Sequence, residues 1–292
     1  MNSLQIQYFL TTAERESFTE AARQLFVSQP AVSKQIRLLE EELGCELFKR
    51  SGKNAVLTYE GQQFMAYFSQ CRFQMDLLKS RLAEKKESGF FPMSVSYLEG
   101  LDPGNFLPAM ERAAERTSPL LRLKTACYGL PQLLKSLYDG GSDAVLTFGS
   151  PLSHEPCHAE PLMEIPRVLL YSAARFGNGP GELSWFREEP FLLPEDEYTS
   201  NLEQTLYGMF LKLGFTPKIE YVPNFSTIMD CVEQGKGVFV YNRWCRQCRM
   251  PEFGFLPLPS SQTLYLVRKE EEAGEMNMRF FHEIRREFGQ IV

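Results

Sequence analysis

Apolar positions follow helical periods in two stretches of the N-terminal third. Val32, Ile36, Leu39 and Leu43 recur at steps of four, three and four. From Leu57 through Gly61, Phe64, Phe68, Cys71, Met75 and Leu78 to Leu82 the steps alternate four and three. The first pattern predicts a short helix with one buried stripe. The second is a heptad seam and predicts a long helix over 59–88 that pairs with a second helix through Phe64, Phe68, Cys71, Met75, Leu78 and Leu82. Its flanks (Gln62, Gln70, Gln74, Lys79, Arg81, Glu84) are polar, which favours pairing over packing on its own domain.

Punctuation sharpens the first helix. Ser17 and Glu20 form a capping-box signature ahead of Ala21, Ala22 and Leu25. Ser28 is a second N-cap, Pro30 falls in the first turn where a missing N–H is harmless, and Gly44 stops the helix. Two short helices joined by a tight turn read as a DNA-binding helix-turn-helix. Opposite the buried stripe lie Pro30, Lys34 and Arg37, flanked by Ser28, Gln29, Ala31 and Ser33: a small, polar, cationic surface of the kind that enters a major groove. The plainer alternative is a solvated face on an ordinary helical hairpin. Leu47-Phe48 and Val56-Leu57, set about a basic Gly-Asn turn, predict two short strands of a wing, with Arg50 and Lys53 on the phosphates.

Phe9, Ser17-Phe18-Thr19, Ala21-Ala22, Leu25, Ser28 to Ser33, Ile36, Leu39-Glu40, Leu43-Gly44, Leu47-Phe48, Arg50, Leu57-Thr58 and Gly61 together resemble the LysR-type transcriptional regulators. The resemblance is dense over residues 1–61. It implies a winged helix-turn-helix, a dimerising linker helix and a two-lobed, periplasmic-binding-protein-like α/β effector domain. The expected partition is 1–58, 59–88 and 89–292, with lobe one at about 90–163 and 268–292 and lobe two at about 164–267. A polar run ending at Gly89 marks the boundary after the linker.

Beyond it, strand and helix alternate. Strands are predicted at 93–97, 121–125, 143–148, 167–171, 218–222, 237–241 and 264–267. Helices are predicted from Asp102 through Ala114 and at 130–137, 199–212, 226–234 and 277–288. This order predicts a largely parallel sheet with crossover helices. Ligands of such folds sit at loops after strands and at helix N-termini. Matching by order, the resemblance implies effector contacts at Tyr97, Glu99, Gly100, Asp102, Tyr128, Gly129, Phe148, Thr199, Asn224, Ser226 and Thr227. Family members that bind carboxylates often present hydroxyls at the first of these loops, where this chain has Glu99 and Asp102. That argues against an anion, less so if Asp102 is only a helix cap. Ser226 and Thr227 still offer hydroxyls and free N–H groups.

Charge divides unevenly. Of 292 residues with a formal net charge of −6, residues 1–88 carry 12 Lys or Arg against 11 Asp or Glu, and the remainder carries 19 against 26. A modestly basic head on an acidic body binds phosphate weakly alone, so an oligomer is expected: a homodimer on a roughly palindromic duplex site, extending to a tetramer, with RNA polymerase as a further partner. No apolar run approaches the roughly 18 residues of a membrane span, and the first ten residues lack signal-peptide character, so a cytoplasmic protein is expected.

The seven cysteines are expected to be reduced thiols. Cys245-Arg-Gln-Cys248, alone or with His154, Cys157 and His158, offers an alternative: a winged-helix sensor of metal, inorganic ion or redox state. No metal site or cofactor is otherwise expected. Signatures for nucleophilic, phosphate-cradling or zinc-peptidase chemistry are missing and three His are sparse for acid–base work, so neither an enzyme nor a ligand-free scaffold is favoured over a regulator with a small-molecule effector.

Overall fold

The computed structural model describes residues 1–49, 55–148, 157–177, 181–195, 199–211, 214–269 and 274–291. It divides into two compact units, Met1–Ala83 and Glu84–Val292.

In the first unit, α1 (Ser3–Arg15) starts on a reciprocal capping box, Asn2 with Gln5. Next comes α2 (Phe18–Gln24), capped by the Ser17 hydroxyl, which accepts from the Glu20 N–H at 3.3 Å. The box expected at Ser17 is half made, because the Glu20 carboxylate turns outward to Arg23 at 2.8 Å. A turn holding Phe26 at φ 56° leads to α3 (Gln29–Leu43), which Gly44 closes at φ 72°. Val32, Ile36 and Leu39 of α3 are buried with Phe9, Leu10 and Leu47 in one core. The wing is shorter than its two predicted strands: among the described residues it is a single bridge, Phe48 to Leu57. Arg50 and Lys53 lie outside the described residues.

The long helix α4 (Tyr59–Ser88) begins where the Thr58 hydroxyl accepts the Gly61 N–H at 2.9 Å. A Cβ on Gly61 would run into the Leu47 carbonyl, so α4 lies too close to the preceding loop for a larger residue. Here the seam departs from expectation. Phe68 is buried among the first unit's aromatics, 6.0 Å from Phe9 and 5.5 Å from Phe64 by ring centroids, and Phe64 packs against the same core. Those two positions hold the helix to its own unit; Cys71, Met75, Leu78 and Leu82 remain exposed.

The second unit carries β1 (Phe91–Leu98), α5 (Leu107–Thr117), β2 (Leu121–Tyr128), α6 (Leu130–Tyr138), β3 (Ala144–Phe148), β4 (Cys157–Ser172), α7 (Ala173–Phe176), β5 (Pro190–Pro194), α8 (Thr199–Leu211), β6 (Lys218–Val222), α9 (Phe225–Glu233), β7 (Phe239–Asn242), β8 (Phe253–Lys269) and α10 (Glu275–Phe288). The main sheet runs β2-β1-β3-β8-β4-β7. It is mixed rather than largely parallel: β1 is parallel to β2 and β3, but β8 is antiparallel to β3 and β4, and β4 to β7. A parallel pair, β5-β6, joins through a bridge from Phe191 to Val238.

The antiparallel strands β4 and β8 run 16 and 17 residues and link two cores. Ile165, Leu264 and Leu266 pack with Phe106, Met110, Phe280 and Phe288 of the first, whereas Leu169, Tyr171 and Leu258 pack with Phe186, Phe191 and Phe210 of the second. Their register shifts at Pro161/Met163 and Pro166/Val168, so prolines sit at the irregularities where a missing N–H does least harm. α10 returns to the first core, where its buried Glu287 meets Arg112 at 2.6 Å and Arg116 at 3.1 Å on α5. No helix among the described residues is long and apolar enough to cross a membrane.

Candidate nucleic-acid interface and cleft

On α3 the buried stripe fixes what faces outward. Ser28, Gln29, Pro30, Lys34 and Arg37 are exposed, with Ala31 and Ser33 half-buried. The Gln29 side-chain amide donates to the Ser33 hydroxyl at 2.8 Å, so the polar pair is held in one arrangement. Arg37 lies 3.3 Å from Glu41, both well exposed. Such an ion pair contributes little, so the guanidinium is released to a stronger acceptor at small cost. Lys34 makes no ion pair among the described residues.

Sequence reasoning missed the residue that fixes the wing to α3. The Glu40 carboxylate accepts the backbone N–H groups of Leu47 and Phe48, at 2.7 and 3.2 Å. A glutamate inside an amphipathic helix gives no local sign of that role.

The second unit contains a cavity of about 350 Å³. The expected residues Tyr97, Glu99, Gly100 and Ser226 line it. Gly100, at φ 93°, sits against the Tyr241 and Phe225 rings where a Cβ would clash. Tyr241 donates its hydroxyl to the Glu99 carbonyl at 2.7 Å, and burial raises its phenol pKa, keeping it a neutral donor. Tyr97 is likewise raised, chiefly by burial.

Other expected contacts lie off the described lining. Asp102 caps a short 3-10 turn, accepting from Gly104 N–H at 3.0 Å and pairing with Arg249 at 3.1 Å. Asn224 caps α9 and binds both the N–H and the hydroxyl of Thr227. Tyr128 ends β2, Gly129 caps α6, and the Phe148 ring packs edge-on to Tyr241. Thr199 opens α8, and its side chain is outside the described residues.

Leu101 and Phe225 of the lining fall within the expected loops 97–102 and 224–227, whereas Pro103, Cys127, Met229, Arg246 and Gln247 were missed. These positions come together only through the tertiary fold. Arg246 and Gln247 belong to a 3-10 turn, Arg246–Arg249, whose Cys-Arg-Gln-Cys pattern suggested a metal or redox pair instead.

In that turn the Cys245 and Cys248 sulfurs are 3.4 Å apart. The hydrogen bond from Cys245 pulls the Cys248 thiol pKa down, with Arg243 and Arg249 adding to it, while the same bond and burial push Cys245 up. Among the described residues no three His, Cys, Asp or Glu side chains gather to hold a metal ion. Cys157 and His158 begin β4, paired with Lys269 and Arg268, and His154 is outside the described residues.

Two family models match the chain: a bacterial regulatory helix-turn-helix protein model of the lysR family over residues 4–62, and a LysR substrate binding domain model over 102–289. The HTH-type transcriptional regulator BenM of Acinetobacter baylyi is 26% identical over 281 residues, covering 92% of this chain and 90% of that relative. ClcR of Pseudomonas putida, another HTH-type transcriptional regulator, is 26% identical over 268 residues, 90% of each chain. In fold, the chain is similar to full-length CbnR solved with its target DNA: TM-score 0.73 at 21% identity, covering 98% of this chain and all of that one.

Proposed function

The chain belongs to the LysR family of DNA-binding transcriptional regulators with an effector-binding domain, and from that premise we propose how its residues divide the work. Gln29, Pro30, Ser33, Lys34 and Arg37, flanked by Ser28 and Ala31, enter the major groove; Arg50 and Lys53 hold phosphate. The observation that carries this reading is the polar outer face of α3, exposed on a helix whose opposite face is the core of the unit.

The uncovered outer seam of α4, Met75, Leu78 and Leu82 with Cys71, pairs two subunits, so the site is roughly palindromic with half-sites about one helical turn or a multiple of it apart. A tetramer is a further assembly of such pairs. The working partition remains 1–58, 59–88 and 89–292. The protein acts in the cytoplasm without catalysis, and a small molecule in the cleft shifts the population of paired-head geometries and with it DNA bend and RNA polymerase contact. The test is a footprint on the DNA immediately upstream of its own gene. Protection of a dyad-symmetric segment that is lost in Arg37→Ala supports the reading; no protection at low salt, with folded oligomer present, overturns it.

A second reading rests on the 3.4 Å sulfur separation of Cys245 and Cys248. These thiols form a dithiol pair that a peroxide oxidises: the Cys248 thiolate attacks a peroxide oxygen and breaks the O–O bond, leaving a sulfenic acid and releasing the other oxygen as water or alcohol, and the Cys245 thiol then displaces water from that sulfenic acid to close the disulfide. Alkylation of Cys248 that reaches half its maximal rate well below the pH of an ordinary thiol supports this reading; an ordinary profile removes it.

A further inference from the structure

The charges on the cleft wall specify its ligand more closely than its position does. Glu99 and Arg246 both line the cavity, and among the described residues neither the carboxylate nor the guanidinium makes a hydrogen bond or an ion pair, with each other or with anything else.

On the wall formed by α9, Ser226 occupies the first turn, where backbone N–H groups have no partner within the helix and the dipole favours negative charge. Between these polar ends lie Phe225, Met229 and the half-buried Tyr97 ring. Glu99 follows β1 in the first lobe, Ser226 belongs to the second, and Arg246 and Gln247 come from the turn after β7. A ligand touching all of them bridges the lobes.

Resting on the reading that this cleft holds the effector, we propose that the effector is a small zwitterion of the α-amino-acid class with a compact apolar body. Its ammonium meets Glu99, and its carboxylate meets Arg246 and the start of α9. A dicarboxylate sets one charge against Glu99, and a neutral ligand makes no ion pair with either the half-buried Glu99 or the exposed Arg246. The size agrees: about 350 Å³ is at the lower end of ligand pockets, which run from about 300 to 1,000 Å³.

The test is calorimetric titration of the full chain with a panel of proteinogenic L-amino acids. The N-acetyl and amide derivatives of those that bind remove one charge at a time, and benzoate and succinate serve as carboxylates without an amine. The expected result is binding by at least one apolar amino acid, with both its derivatives at least tenfold weaker. Glu99→Gln then erases the preference over the N-acetyl form, and Arg246→Ala the preference over the amide. Neither side chain has a partner to lose, so both variants are expected to keep the wild-type melting temperature without ligand. Binding by benzoate or succinate alone, abolished in Arg246→Ala, overturns the zwitterion and leaves the effector cleft standing. Silence from every probe overturns both.

Discussion

The two halves of α4 carry one apolar period and put it to different use. From Leu57 to Phe68 its positions are taken up by the first unit's own core: Phe68 is 2% exposed, ringed by Phe9 and Phe64. From Cys71 onward the same period is left open, and Met75, Leu78 and Leu82 are 53%, 52% and 57% exposed. Arg72 marks the changeover with an ion pair to Glu14 on α1 at 2.6 Å. A 4-3 repeat thus establishes that a stripe exists without establishing what covers it. The inner half is packed into the unit that carries α3, and the outer half is exposed, the surface we propose pairs with an equivalent helix.

Variants in the two halves should behave oppositely. Phe68→Ala is expected to destabilise the first unit by about 3–5 kcal/mol, since a fully packed aromatic leaves a cavity; denaturant unfolding followed by a probe in that unit measures it, and a loss under 1 kcal/mol breaks the contrast. Gly61→Ala, which drives a methyl into the Leu47 carbonyl, should destabilise by about 1–3 kcal/mol. Arg37→Ala should leave unfolding unchanged and remove about 1–3 kcal/mol of discrimination between the preferred site and a single-base variant, read in competition binding. Leu78→Ser on the exposed half should likewise change folding stability by no more than about 0.5 kcal/mol. That variant should instead weaken self-association in sedimentation equilibrium, and an unchanged association constant would show that the outer seam does not pair.

What could be read from the chain follows the same divide between local and distant. The exposed polar face of α3, which we propose reads the bases, lies within nine residues, Gln29 to Arg37, and its caps and stripe are neighbours in sequence, so periodicity suffices to find it. Glu40, by contrast, binds amides seven and eight residues away in a loop, and nothing local announces it. The long ribbon β4-β8 escaped because Pro161, Pro166 and Pro257 interrupt it and read as strand breakers, although in the fold they fall at or beside irregularities in pairing. With the ribbon hidden, the alternation of short strands and helices suggested a parallel sheet. Part of the cleft lining escaped for a related reason: Cys127, Met229 and Arg246 are far apart in the chain and meet only once both long strands are in place. Strand ends and helix starts located Glu99 and Ser226 but could not supply the cation opposite them.

Selection of binding sites from random duplex DNA by the full chain tests the central claim most directly, because it depends on α3 reading bases and on α4 pairing the readers. The expected result is an enriched dyad-symmetric sequence, with half-sites centred about one helical turn or a multiple of it apart. Enrichment of a single half-site without symmetry, or no enrichment at all by protein that is folded, would contradict the account.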